Sequence, residues 1–109
     1  MAKHEFGIME TPPSAKTRYD DYEPEKYNCI SVDDIYLENI LDLFESIDTF
    51  CHTTDIKAKG LIYTGVTLIP PLSAKEFANK LTKIHELIEL KVLFEKAYRE
   101  NKFVIHYGL

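Results

Sequence analysis

Two side chains of this sequence, Cys29 and His106, could form a nucleophile and its base. A reactive thiolate needs a lowered pKa and a neighbouring proton acceptor, and an imidazole can supply both. Both residues lie in alternating segments, 27–32 and 103–107, that predict strands. The competing interpretation makes Cys29 a small buried apolar residue, as free cysteine often is, and His106 a residue of the sheet surface.

The same residue types also bind metals, but their spacing predicts no metal site. Cys51 and His52 are adjacent, and adjacent side chains on a strand point to opposite faces. The sequence has no Cys-x-x-Cys, His-Glu-x-x-His or Gly-x-Ser-x-Gly motif, and its four glycines are isolated. No metal or cofactor is therefore predicted, and His4 and His85 are expected to be exposed to solvent.

A polar segment over residues 10–26 contains an acidic, tyrosine-rich stretch. Its three prolines and lack of periodicity predict an extended arm. Tyrosine suits interfaces because it combines a large apolar face with a hydroxyl group. The stretch therefore predicts a docking surface for a basic partner, or a mimic of nucleic-acid charge, unless it is only a solvated loop fixed by a tyrosine or two. Its tyrosines and acids are Tyr19, Asp20, Asp21, Tyr22, Glu23 and Glu25, with Tyr27 just beyond.

The elements that position these residues follow from hydrophobic periodicity. Residues 6–9 form either a short strand or a clip over the core. The order after the arm is a strand at 27–32, a helix at about 34–47 with Asp33 as its N-cap, strands at 49–57 and 61–69, a helical segment within 73–101, and a strand at 103–107.

The helical segment lacks glycine and proline from Ser73 to Asn101, so it is either one helix or two. Ser73 and Glu76 form a capping box at its start. Its apolar stripe changes face near Leu87 to Leu93, which favours two helices or a kink. The stretch at 61–69 is apolar on both faces and ends at two prolines, as a central strand would.

This order predicts a ferredoxin-like α+β sandwich, with a β-α-β-β-α-β order, an antiparallel sheet and helices on one face. Residues 1–26 would be an extended N-terminal arm, and residues 27–109 a single α+β domain.

The register of this sheet decides which residues share its open face. We expect the helix-facing set to be Ile30, Val32, Phe103, Ile105 and Tyr107, and the open-face set to be Tyr27, Cys29, Ser31, Val104 and His106. Tyr63, Gly65 and Thr67 could join the open face, with Cys51 or His52 from the neighbouring strand, and Gly65 would leave room for a ligand. A slip of one residue would exchange these sets. The candidate binding residues are Tyr19, Tyr22, Tyr27, Tyr63 and His52.

Composition bounds the function. The chain has 109 residues and 13 Lys and Arg against 18 Asp and Glu, so its net charge of −5 disfavours nucleic-acid binding. Its two cysteines and the lack of a signal peptide or a long apolar run predict a cytoplasmic protein that does not enter membranes. We expect a small interaction protein acting through its open sheet face or its acidic arm.

Several alternatives remain open at this point. One is a small enzyme with a Cys29 or His106 site on the open face, so the sequence does not decide whether the protein is an enzyme. A homodimer through the sheet or through the Leu87–Leu93 surface is a further expectation, because a mixed sheet face must be covered. A small-molecule role on the open face also stays open, and the sequence does not identify the ligand.

Overall fold

The structure is a computed structural model that describes residues 2–109. Its centre is a six-stranded sheet in which every neighbouring pair is antiparallel. The order across the sheet is β2-β1-β6-β5-β3-β4. The strands are β1 (Lys3–Ile8), β2 (Ile30–Asp33), β3 (Asp48–Cys51), β4 (Lys57–Lys59), β5 (Val66–Ile69) and β6 (Val104–Tyr107).

The α+β class and the antiparallel sheet are confirmed, but the ferredoxin-like strand order is not found. That order would place the strand at 27–32 between the strands at 61–69 and 103–107. Instead β5 pairs directly with β6, and β2 lies at the edge of the sheet. The difference arises from Lys3–Ile8, which the sequence assigned to the arm but which pairs with both β2 and β6. Its apolar run was too short to decide between a strand and a clip.

Three helices pack on one face of the sheet: α1 (Asp34–Leu37), α2 (Pro71–Lys80) and α3 (Ile88–Arg99). The prediction of two helices within 73–101 is confirmed. The capping box is wrong, because α2 begins at Pro71 and the Ser73 hydroxyl instead donates to the Asp48 carbonyl at 2.6 Å. Proline suits the first helical position because it has no N–H to leave unpaired.

The long helix predicted at about 34–47 is wrong. Only α1 and a short 3-10 turn at Leu41–Phe44 form there, and the Asp33 side chain makes no capping hydrogen bond. These turns still bury Leu37, Phe44 and Ile47, so the apolar spacing reports burial in the core rather than a continuous helix.

The sheet has an apolar core on each face. The core beneath the helices is centred on four phenylalanines, Phe6, Phe44, Phe77 and Phe94. The core on the other face, here called the outer face, consists of Met9, Val66, Leu68, Ile105 and Tyr107. Residues 10–29 form neither helix nor strand and lie over this outer face, where Tyr19, Tyr27 and Cys29 pack against the core.

The predicted faces are right for β2 and wrong for β6. Val104 and His106 lie on the helix side, opposite Ile69 and Thr67, whereas Ile105 and Tyr107 belong to the outer core. All four residues of β6 are buried. A strand buried on both faces has no polar alternation, so its register could not be read from the pattern.

Among residues 2–109, no helix is both long enough and apolar enough to cross a membrane.

Candidate functional site

The most concentrated polar chemistry in the described chain is a buried cluster around His4 and His106. His4 lies on β1 and His106 on the neighbouring β6, and both are fully buried. Nδ1 of His4 is 2.8 Å from Nε2 of His106, and the rings are nearly parallel, with centroids 5.1 Å apart. Because the pleat places alternate residues of neighbouring strands on one face, β1 and β6 direct both rings toward the helices.

The cluster extends in both directions and is here called the histidine network. Nε2 of His4 lies 2.8 Å from the Asp34 carboxylate, which also accepts the Tyr63 hydroxyl at 2.6 Å. Nδ1 of His106 lies 2.9 Å from the Thr67 hydroxyl, which accepts the Ile62 N–H at 2.8 Å.

One assignment of protons satisfies every one of these bonds and leaves His106 neutral. Thr67 donates to His106, His106 donates to His4, and His4 donates to the Asp34 carboxylate. Burial, reinforced by His4, holds the pKa of His106 well below 6.5, in agreement with a neutral ring. The bond from Tyr63 lowers the pKa of Asp34, and the same bond raises the pKa of Tyr63 to about 12.

The network can orient groups and fix strand register, but it presents no nucleophile to solvent. Thr67, His4 and His106 are all fully buried. The expectation that His4 is exposed is wrong. The alternation of His4 with Phe6 and Ile8 was the available signal, because it places all three on one face of β1.

The structure does not bring Cys29 and His106 together. Cys29 packs in the outer core, on the opposite side of the sheet from His106, because β6 adopts the other register. Burial raises the pKa of the Cys29 thiol to about 12, the reverse of what a nucleophile needs. Cys29 and Cys51 are both free thiols, and among residues 2–109 no cluster of metal-ligating side chains is found.

His52 lies where a ligand was expected to fit above Gly65. A Cβ atom on Gly65 would come within 2.9 Å of Nε2 of His52, so the space is filled. Nδ1 of His52 is 2.7 Å from the Asp20 carboxylate, an ion-pair distance without hydrogen-bond geometry, and the His52 carbonyl accepts the Tyr19 N–H at 2.8 Å. His52 therefore anchors the segment 10–29.

The candidate tyrosines face the protein's own chain. Tyr19 and Tyr27 are half-buried in the outer core, and the Tyr22 hydroxyl donates to Glu5 while its side chain remains 64% exposed. Tyr63 lies on the other side, in the histidine network. The predicted open face is thus largely covered, and these residues do not form one site.

The free surface lies instead at the edge of the sheet, between β2 and α3, in what we call the edge groove. Two hollows of about 290 and 160 Å³ lie along it and share Glu89 as a lining residue. Val92 is 53% exposed and lines the larger hollow, and Ile88, one helical turn earlier, is 50% exposed. The apolar lining is Ile8, Tyr27, Ile30, Val32, Tyr36, Leu90, Val92 and Leu93.

The backbone of β2 is open along this groove. The Asp34 N–H donates to the Ala2 carbonyl at 3.0 Å, and ladder bonds alternate along an antiparallel strand. With the register of β1 and β2, this directs both backbone groups of Ser31 and the N–H of Asp33 outward, whereas the Asp33 carbonyl lies at the N-cap of α1. The opposite edge strand, β4, is only three residues long and carries Lys57 and Lys59, which protect an edge from pairing.

No protein family, curated protein or solved structure matches this chain.

Proposed function

We propose that this chain is a small interaction protein that binds a partner protein in the edge groove. The observation that carries the proposal is the position of Val92, which is 53% exposed and lines the same hollow as Ile30 of the edge strand β2. An exposed apolar strip next to unpaired backbone donors and acceptors is typical of a surface that receives another chain.

The sequence also predicted an interaction protein, but one that binds through its open sheet face or its acidic arm. The proposal assigns binding to the edge groove instead. The segment 10–29 covers the outer face with Tyr19, Tyr27 and Cys29, so that face is not free, while the acidic side chains of the segment stay exposed. An enzyme based on Cys29 and His106 has no comparable support, because the two groups lie on opposite faces of the sheet. A cytoplasmic location remains part of the proposal and is supported by the two free thiols, Cys29 and Cys51.

The test is a selection of random linear peptides displayed on phage against three forms of the protein. They are the unchanged protein, Val92→Glu in the groove, and the control Leu72→Glu. Leu72 is 73% exposed on α2 and lines neither hollow of the groove, so it matches Val92 in exposure and helical setting.

We expect selected peptides that bind the unchanged protein and Leu72→Glu alike and bind Val92→Glu at least about tenfold more weakly, because a buried charge opposes apolar contact. Equal binding to all three forms, or no selected peptide at all, would contradict the proposal. Circular dichroism of the three proteins confirms that each is folded.

A further inference from the structure

We infer that the partner binds in the edge groove as an extended segment, which adds a seventh strand to β2 and carries a basic side chain at the Asp33 end. This inference rests on the proposed function and specifies the chemistry of the partner. Three features of the groove support it: the outward backbone groups of β2, the apolar strip beside them, and the distribution of charge along it.

The backbone determines the conformation of the partner. Ser31 directs its N–H and C=O out of the sheet, and Asp33 directs its N–H outward, while the Asp33 carbonyl serves the first turn of α1. Another extended chain at strand spacing pairs with these three groups at once, in place of water. Every existing pair in the sheet is antiparallel, and antiparallel pairing is the more stable per residue, so we assign the seventh strand this direction.

The side chains determine the pattern of the partner. Residues of a seventh strand opposite Ile30 and Val32 would share their face and point toward α3. There they would meet Val92 and the half-buried Leu93. The partner therefore alternates, with apolar side chains at these positions.

The charge of the groove determines where the partner carries a basic side chain. The smaller hollow, at the Asp33 end of the groove, is lined by three carboxylates, from Asp33, Glu86 and Glu89. Its lining contains one ammonium group, from Lys3. None of these carboxylates takes part in an ion pair among residues 2–109. A lysine or arginine of the partner would complement this end.

The same charges disfavour a second copy of this chain as the occupant. Pairing β2 with β2 of another copy would bring a second set of Asp33, Glu86 and Glu89 to the same edge. Over both hollows, the groove lining of each copy has five acidic side chains against three basic ones, Lys3, Lys26 and Lys96, so the second lining is also net negative. Like charges brought together in this way oppose association, so the partner is a different chain.

The experiment uses a peptide selected by the display test. Hydrogen exchange is measured by NMR on the protein with and without this peptide. The N–H groups of Ser31 and Asp33 should exchange freely in the protein alone and become protected at least about tenfold on binding, whereas Ile30 and Val32 are protected in both states. No added protection at Ser31 and Asp33 would overturn strand addition.

Two pairs of variants test the backbone and the charge separately. Ser31→Pro removes an outward N–H without removing a bond to β1, and should weaken binding about tenfold, while Ser31→Ala keeps the N–H and should bind within about twofold. Glu89→Lys should weaken binding about fivefold at low salt, and a peptide with its basic residue changed to glutamate should recover that loss on Glu89→Lys.

The outcomes separate the inference from the proposed function. A peptide that is lost on Val92→Glu but binds Ser31→Pro and Ser31→Ala equally would retain the groove as a binding site and overturn the seventh strand. Equal binding to Glu89→Lys and to the unchanged protein would overturn the basic side chain. Because the exchange measurement needs no variant, a Ser31→Pro protein that failed to fold would leave the test intact.

Discussion

At the scale of single residues, the histidine network fixes the register of β1 against its neighbours near the edge of the sheet. Asp34 follows β2 directly, and its carboxylate accepts Nε2 of His4 on β1. His4 also hydrogen-bonds His106 on β6, and His106 in turn hydrogen-bonds Thr67 on β5. Three strands and the start of α1 are therefore joined by one chain of hydrogen bonds. A buried network with every member satisfied favours one register over others, because any slip would leave a buried polar group unpaired.

The neutral state of His106 predicts a dependence of stability on pH. Because the folded protein keeps the pKa of His106 well below 6.5, the unfolded chain binds a proton there first as the pH falls. The free energy of unfolding should therefore decrease as the pH falls below 6.5, by up to ~1.4 kcal/mol per pH unit for this one proton. Urea denaturation from about pH 7.5 to about pH 5.5 measures this slope.

Two variants separate the contribution of His106 to this pH dependence from that of other groups. His106→Gln should be less stable than the unchanged protein and should show a shallower slope. His85→Gln should keep the original slope because His85 is exposed. A His106→Gln protein with an unchanged slope would show that His106 is not neutral in the folded protein.

The raised pKa of Cys29 predicts a slow thiol. At neutral pH almost none of it is thiolate, because its pKa is about 12, and packing in the outer core further limits access. In a Cys51→Ser protein, modification by iodoacetamide should be at least about tenfold slower in the folded state than in urea. Faster labelling in the folded state than in urea would support the prediction from the sequence that Cys29 is a nucleophile.

At the scale of elements, the segment 10–29 acts as the second covering layer of the sheet. The helices cover one face, and this segment covers the other without forming helix or strand. It is fixed by Tyr19 and Asp20 at His52 and by an ion pair between Glu10 and Lys102. It approaches β1 closely at Gly7, where a Cβ atom would lie 2.6 Å from the Tyr27 carbonyl oxygen and 2.8 Å from the Cys29 sulfur.

Gly7→Ala should therefore displace residues 27–29 and lower the free energy of unfolding by about 1–3 kcal/mol. Ser31→Ala is the matched control, because Ser31 is exposed on the neighbouring strand, and it should change stability by less than about 0.5 kcal/mol. Urea denaturation of both variants measures the difference. A Gly7→Ala protein as stable as the control would mean that residues 27–29 do not lie against β1.

The elements also show what could be predicted from the sequence. The α+β class, the break between α2 and α3 and the end of β5 at Pro70 followed from periodicity and from proline chemistry. The faces of β2 followed from alternation, whereas β6 is buried on both sides and carries no such signal. The histidine network could not be predicted as a unit, because it joins His4 to His106 across almost the whole chain.

At the scale of the whole molecule, the structure leaves one sheet edge open and acidic beside an apolar helix surface. The other edge is short and protected by Lys57 and Lys59, and the outer face is covered by the segment 10–29. The net charge of −5 and the unpaired carboxylates of the groove oppose self-association there.

We therefore expect the purified protein to be a monomer in solution, in contrast to the homodimer considered from the sequence. Light scattering with and without reducing agent measures the mass. The mass of one chain under both conditions is the expected result. A stable dimer in reducing agent that Val92→Glu dissociates would show that a second copy occupies the groove.

Whether a partner binds in the edge groove is measured by mapping amide chemical shifts by NMR during titration with a selected peptide. We expect the largest changes on β2 and on residues 86–96, with Ser31, Asp33 and Val92 among them. Changes confined to β4, or to Tyr19 and Tyr22 in the segment 10–29, would place the binding surface elsewhere and contradict the account.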